Sequence, residues 1–91
     1  MSQASFGGET PPGFYTVYIL RCADQSTYTG CTSNFEKRMV RHIKGQVSYT
    51  NTRLPVSVLV TIQFPDKYKA YEFEKYLKSG SGRAFARKHL I

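Results

Sequence analysis

Tyr18, Tyr28, Arg38, His42 and Glu74 are residue types that can do chemistry together. An arginine presents a planar fork of donors that stays charged, which suits non-bridging phosphate oxygens as negative charge builds on them. A phenol, with a reference pKa of about 10, works as a base near neutral pH only beside a cation or a metal-bound water. His42 follows Arg38 by four residues, one turn of a helix, and could take up a proton or bind phosphate. A single carboxylate such as Glu74 suits a hard divalent ion, Mg²⁺ or Mn²⁺, that keeps most of its shell as water and phosphate oxygen. Phosphodiester cleavage asks for these parts: a deprotonated water in line with the leaving oxygen, a positive group for the developing charge, and usually a bridging ion.

Each residue also has an ordinary alternative. Tyr18 and Tyr28 could be strand aromatics packing across a hairpin. Glu74 and Lys78 are four apart and could simply pair along a helix, with Arg38 and His42 as surface groups. Which of Tyr28 and His42 would act as base is open from the residues alone.

The wider composition points to a polyanionic partner. Thirteen Lys and Arg against six Asp and Glu give a formal charge of +7 in 91 residues, which favours phosphate contact through counterion release. The cations fall in two stretches free of acids. Residues 37–65 carry Lys37, Arg38, Arg41, Lys44 and Arg53, and residues 75–91 include Lys78 and Arg83. Together with Tyr49 these are the candidate nucleic-acid contacts; the plainer alternative is a solvated helix exterior. Cys22 and Cys31 form no CxxC pair, so a zinc site is not expected and both thiols should be reduced core residues. No stretch approaches the about 20 apolar residues of a membrane helix, and no secretion signal opens the chain, so a cytoplasmic protein is expected.

The elements that must position these residues follow from patterning. Residues 1–13 are rich in Ser, Gly and Pro and are expected to be a flexible tail, with one folded unit over residues 14–91. Aromatic and β-branched residues at 14–20 and 27–30 flank a turn at 23–26, which predicts a hairpin carrying one tyrosine on each strand. Ser33 and Glu36 suggest a capping box, and Phe35, Met39 and Ile43 recur every four residues, predicting a helix over 34–44 that Gly45 ends. A connecting loop is expected at 49–53. Val56, Val58, Val60 and Ile62 alternate as a third, half-buried strand. Asp66 caps a second helix with a buried stripe of Ala70, Phe73 and Leu77 that stops near Gly80 and Gly82, and residues 83–89 form a last, basic helix. The expected class is α/β, a small, mainly antiparallel three-stranded sheet flanked by helices in the order β-β-α-β-α-α.

In these residues the chain resembles the GIY-YIG nucleases, and in particular their short stand-alone bacterial members. Thr16-Val17-Tyr18, nine intervening residues and Tyr28-Thr29-Gly30 look like the two signature strands. Arg38 and His42 stand where that family places its helix arginine and a following histidine or tyrosine, and Ala70, Glu74, Leu77 and Lys78 match its glutamate helix. Lys78-Ser79-Gly80-Ser81-Gly82-Arg83 continues the likeness. Thr16 and Thr29 replace the usual Gly and Ile, and Cys31 stands where some repair relatives have lysine.

The resemblance implies a metal-dependent endonuclease acting on DNA and leaving 5′-phosphate and 3′-hydroxyl ends. Tyr18, Tyr28, Arg38, His42 and Glu74 would be catalytic, and Glu74 would hold the ion. A chain of this size has little surface for gripping duplex. Single-stranded or structured DNA is therefore the expected substrate, with bases stacking on Tyr49, Phe64, Tyr68, Tyr71 or Tyr76. A monomer or weak homodimer is expected, and the residues name no protein partner. The rival is a nucleic-acid-binding or partner-recruiting module that keeps the fold without turnover.

Overall fold

Residues 15–21 alternate between two faces, and the helices pack on one or the other. A computed structural model describes residues 10–91, in which the elements run β1 (Tyr15–Arg21), β2 (Thr27–Thr32), α1 (Phe35–Ile43), β3 (Ser57–Phe64), α2 (Lys67–Leu77) and α3 (Gly80–His89). The strands form one antiparallel sheet in the order β2-β1-β3. This is the α/β class and element order expected from the sequence. β1 is central and β2, which carries Tyr28, is an edge.

Val17 and Ile19 pack with Ala70, Leu77 and Ala86 of α2 and α3. Tyr18 and Leu20 point the other way, into Phe35 and Met39 of α1, with Tyr28, Val56 and Val58 alongside. The sheet is thus sandwiched between α1 and the α2–α3 pair. Each residue of β1 from Thr16 to Leu20 is at most 2% exposed, so the central strand serves two cores at once.

The hairpin closes through Cys22 N–H donating to the Ser26 carbonyl at 2.8 Å and Asp24 accepting from Ser26 N–H at 3.0 Å, with Gln25 at a positive φ of 71°. Three local expectations are corrected. The cap of α1 is Asn34, which accepts from Lys37 N–H, and not Ser33. Ile43 is 54% exposed, and the third inward position of α1 belongs to His42. Gly80 and Gly82 do not mark the stop of α2: they lie in the first turn of α3, capped by Ser79, whose hydroxyl accepts from Gly82 N–H. Gly82 is required there because a Cβ would overlap the Tyr76 carbonyl. Phe73 of the expected α2 stripe is half-buried, whereas Ala70 and Leu77 are buried.

Of the expected tail, residues 1–9 lie outside the described residues. Within 10–13, Thr10 Oγ1 bonds the Thr16 hydroxyl and accepts from Phe35 N–H at 3.0 Å. Cys22 and Cys31 are free thiols, the first buried and the second half-buried. No helix of the described residues is long and apolar enough to cross a membrane.

Candidate active site

Strand register brings the two tyrosines together. Tyr18 pairs with Gly30 and Leu20 with Tyr28, so Tyr18, Tyr28 and Gly30 share the α1 face. A Cβ on residue 30 would lie 2.5 Å from the Tyr18 oxygen and 2.6 Å from its Cζ. Glycine at this position lets the Tyr18 ring lie across β2. The ring is then fixed edge-on against Phe35, with centroids 5.3 Å apart, and against His42 at 5.8 Å.

His42 comes inward from α1 and is fully buried, with both nitrogens engaged. Nε2 meets the Tyr18 hydroxyl at 2.9 Å and Nδ1 meets the Thr50 hydroxyl at 2.8 Å. Burial, helped by the charges of Arg38 and Arg41, pulls the imidazole pKa down to about 4, so the ring is neutral at physiological pH. The Tyr18 phenol is pushed well above the ordinary tyrosine range, chiefly by burial and then by its Tyr28 neighbour; Arg38 opposes this as a hydrogen-bond donor and positive charge. Tyr18 and His42 are therefore uncharged partners in a buried network.

Tyr28 is half-buried, its ring 5.0 Å from His42 and 5.8 Å from Tyr49. It also borders an open groove of about 590 Å³ that runs on the other side of β2, lined by Thr27, Thr29, Tyr49, Lys78, Arg83 and Arg87 among others. Tyr28 is thus shared between the buried network and the groove. Among the described residues no carboxylate side chain lines this groove.

Glu74 lies on α2, which packs on the Val17–Ile19 face of β1, and its charge reaches the Cys31 thiol of β2, as does that of Arg38. That thiol is raised by burial and then by the Glu74 charge, while Arg38 and Lys78 lower it. Glu74 Oε2 accepts from Lys78 Nζ at 3.0 Å. Among the described residues no group of three His, Cys, Asp or Glu side chains is placed to hold a metal. The carboxylate is 23% exposed and its Oε1 has no donor among the described residues, so it fits a hard cation that takes its remaining oxygens from water and phosphate.

The basic residues divide into three sets. Lys37, Arg41 and Lys44 are exposed on α1. Lys78 and Arg83 line the groove. Arg53 is engaged elsewhere: it pairs with Asp24 at 3.1 Å, donates to the Tyr49 carbonyl and stacks 4.0 Å over the Tyr49 ring. Of the five aromatics expected to stack bases, Tyr49 lines the groove, whereas Tyr71 packs on Tyr15 and Tyr76 sits between Phe73 and Phe85. Sequence reasoning missed two residues. Arg87 was visible as the i+4 companion of Arg83 on α3, but nothing in the sequence marks Thr50 as the partner of His42.

Comparison with known proteins shows the family. The family profile described as GIY-YIG catalytic domain matches residues 14–88. A UPF0213 protein from Lactococcus lactis subsp. cremoris (strain SK11) is 44% identical over 63 residues, covering 68% of this chain and 64% of that protein. A UPF0213 protein from Natronomonas pharaonis is 42% identical over 64 residues, covering 69% of this chain and 75% of that one. The chain thus matches under two thirds of the Lactococcus protein's length. The solution NMR structure of a UPF0213 protein from Bacillus halodurans has 33% sequence identity and a TM-score of 0.54, covering 82% of this chain and 83% of that one.

Proposed function

We propose, on the premise that this chain belongs to the GIY-YIG catalytic-domain family, that it is a metal-dependent endonuclease hydrolysing DNA phosphodiester bonds. The observation that carries this reading is the packing of Tyr18, Tyr28 and His42 beside Arg38 at an edge strand, next to a groove lined by Lys78, Arg83 and Arg87. A solvated helix face would not need a buried tyrosine–histidine pair turned toward a guanidinium.

Arg38 would set its donors against the phosphate as charge develops in the transition state. His42 is buried and bonded at both nitrogens, which argues against direct contact with water. Tyr28 is half-exposed and borders the groove, and this favours it as the group that takes the proton of the attacking water at its oxygen, with a cation beside it to stabilise the phenolate. Tyr18 would orient water or phosphate. Glu74 is the residue that would hold a Mg²⁺ or Mn²⁺ ion, which when bound supplies Lewis acidity to the phosphate oxygens.

Groove size favours an unpaired strand. About 590 Å³ is the scale of a small-ligand pocket, about 300–1,000 Å³, and suits nucleotides of one strand in single-stranded or branched DNA. Lys37, Arg41 and Lys44 on the opposite face would hold flanking phosphates. The test is a cleavage assay on labelled single-stranded, duplex, flap and junction oligonucleotides with Mg²⁺ or Mn²⁺. Cutting should need the metal and disappear in folded Arg38→Ala and Glu74→Ala proteins. Glu74→Ala should bind the same DNA in metal-free buffer at least as tightly as the parent, since it removes a negative charge. Undiminished cutting by either folded variant overturns the assignment, and binding without any turnover leaves a non-catalytic nucleic-acid-binding module.

A further inference from the structure

We propose that Thr50 is a positioning residue: by accepting the Nδ1–H of His42 it fixes the ring in one tautomer and turns the Tyr18 oxygen into an acceptor facing Arg38. The segment that carries Thr50 is not a free loop. Ala23 N–H donates to the Arg53 carbonyl at 2.9 Å, and the Arg53–Asp24 pair ties the same segment to the β1–β2 turn. Thr50 itself is fully buried.

Proton bookkeeping then decides the direction of each bond. A neutral imidazole has one donor nitrogen and one acceptor nitrogen. The Thr50 hydroxyl has a single proton, aimed at the Val47 carbonyl 3.4 Å away. With the proton given to that carbonyl, the hydroxyl lone pairs face His42 Nδ1 at 2.8 Å, and Nδ1 carries the hydrogen. Nε2 then holds a lone pair and accepts from the Tyr18 hydroxyl at 2.9 Å. The other end of the chain is compatible with this direction. Arg38 offers donors alone and cannot take the Tyr18 proton, which leaves His42 Nε2 and the Tyr28 hydroxyl as its acceptors.

With its proton directed inward, Tyr18 keeps its lone pairs for donors in the site, the guanidinium and a water O–H. Valine in place of Thr50 keeps the shape but removes the acceptor. A buried Nδ1–H would then be unsatisfied, and the ring would move its proton to Nε2, donate to Tyr18, and push the phenol proton toward the donors of Arg38.

The experiment has two arms. Nitrogen-15 NMR of the His42 ring in the free protein should report the Nδ1–H tautomer in the parent and in Thr50→Ser, and a shift toward Nε2–H in Thr50→Val. In the cleavage assay Thr50→Val should lose at least about tenfold in kcat with KM little changed, the scale of one hydrogen bond in the transition state, and Thr50→Ser should restore it. An Nε2–H ring in the parent, an unshifted Nδ1–H ring in folded Thr50→Val, or parental cutting by that variant overturns the proposal. Only the activity arm rests on the nuclease reading. If nothing cuts, that reading fails while the tautomer still decides the role of Thr50, and the parent spectrum decides it if Thr50→Val does not fold.

Discussion

Gly30→Ala should unseat Tyr18 at a large cost in stability. The added Cβ would sit 2.5 Å from the Tyr18 oxygen, where ordinary contact begins at 3.4 Å, a deficit of 0.9 Å. The ring has nowhere to retreat, being fully buried, wedged against Phe35 and bonded to His42. Overpacking of this kind costs about 1–3 kcal/mol, and losing the bond to His42 adds about 1 kcal/mol, so about 2–4 kcal/mol is expected. For a domain of this size each kcal/mol lowers Tm by about 4–8 °C, giving a fall of about 8–32 °C in thermal melts followed by circular dichroism. A second measurement isolates the cause. In a Tyr18→Phe background the nearest atom is gone while Cζ remains at 2.6 Å, so the glycine substitution should cost about 1 kcal/mol less there without becoming neutral. A Gly30→Ala protein melting within about 2 °C of the parent would refute the wedge.

Two further outcomes follow from the charges. The folded pKa of His42, lowered to about 4 from 6.5, means that the unfolded chain binds the proton more readily between those values. The stability it contributes is complete above pH 6.5 and is lost as pH falls through 4, up to about 3 kcal/mol. Urea midpoints should therefore drop more steeply over that window in the parent than in His42→Gln, and parallel profiles would contradict it. Removing Arg83 and Arg87 together should weaken binding of a single-stranded oligonucleotide in metal-free buffer. The salt dependence should flatten by about 0.7 in log–log slope for each lost phosphate contact, and an unchanged slope would move the strand off the groove.

What the sequence disclosed of this site depended on periodicity. Strand alternation put Tyr18 and Tyr28 in a hairpin, and the four-residue step from Arg38 put His42 on the same helix face, so both relations are local and legible. That His42 rather than Ile43 fills the inward position was not legible, because an apolar residue is the default there and the polar partners that reverse it come from another segment. Thr50 belongs to a stretch with no repeat of period two or 3.6, and its contact with His42 is a tertiary one, in a stretch that the Asp24–Arg53 pair also ties to the β1–β2 turn. Gly80 and Gly82 carried a misleading signal. Glycine usually ends a helix, but here close approach of α3 to the Tyr76 carbonyl demands it inside one. Glu74 was recognisable as a motif position, yet its approach to Cys31 of β2 depends on how α2 packs on the sheet, which the sequence leaves open.

The double duty of β1 has a consequence for how such a protein can diverge. Tyr18 is at once the centre of the site network and the largest fully buried side chain, so a lineage that abandoned the chemistry would still have to fill that space with an aromatic ring. Arg38, Lys78, Arg83 and Arg87 carry no such obligation and can drift once selection relaxes. A descendant that had lost its activity would thus keep the signature tyrosine and glycine while shedding its cations. On the proposed nuclease reading, the cationic positions would be a better record of retained activity than the strand motif itself.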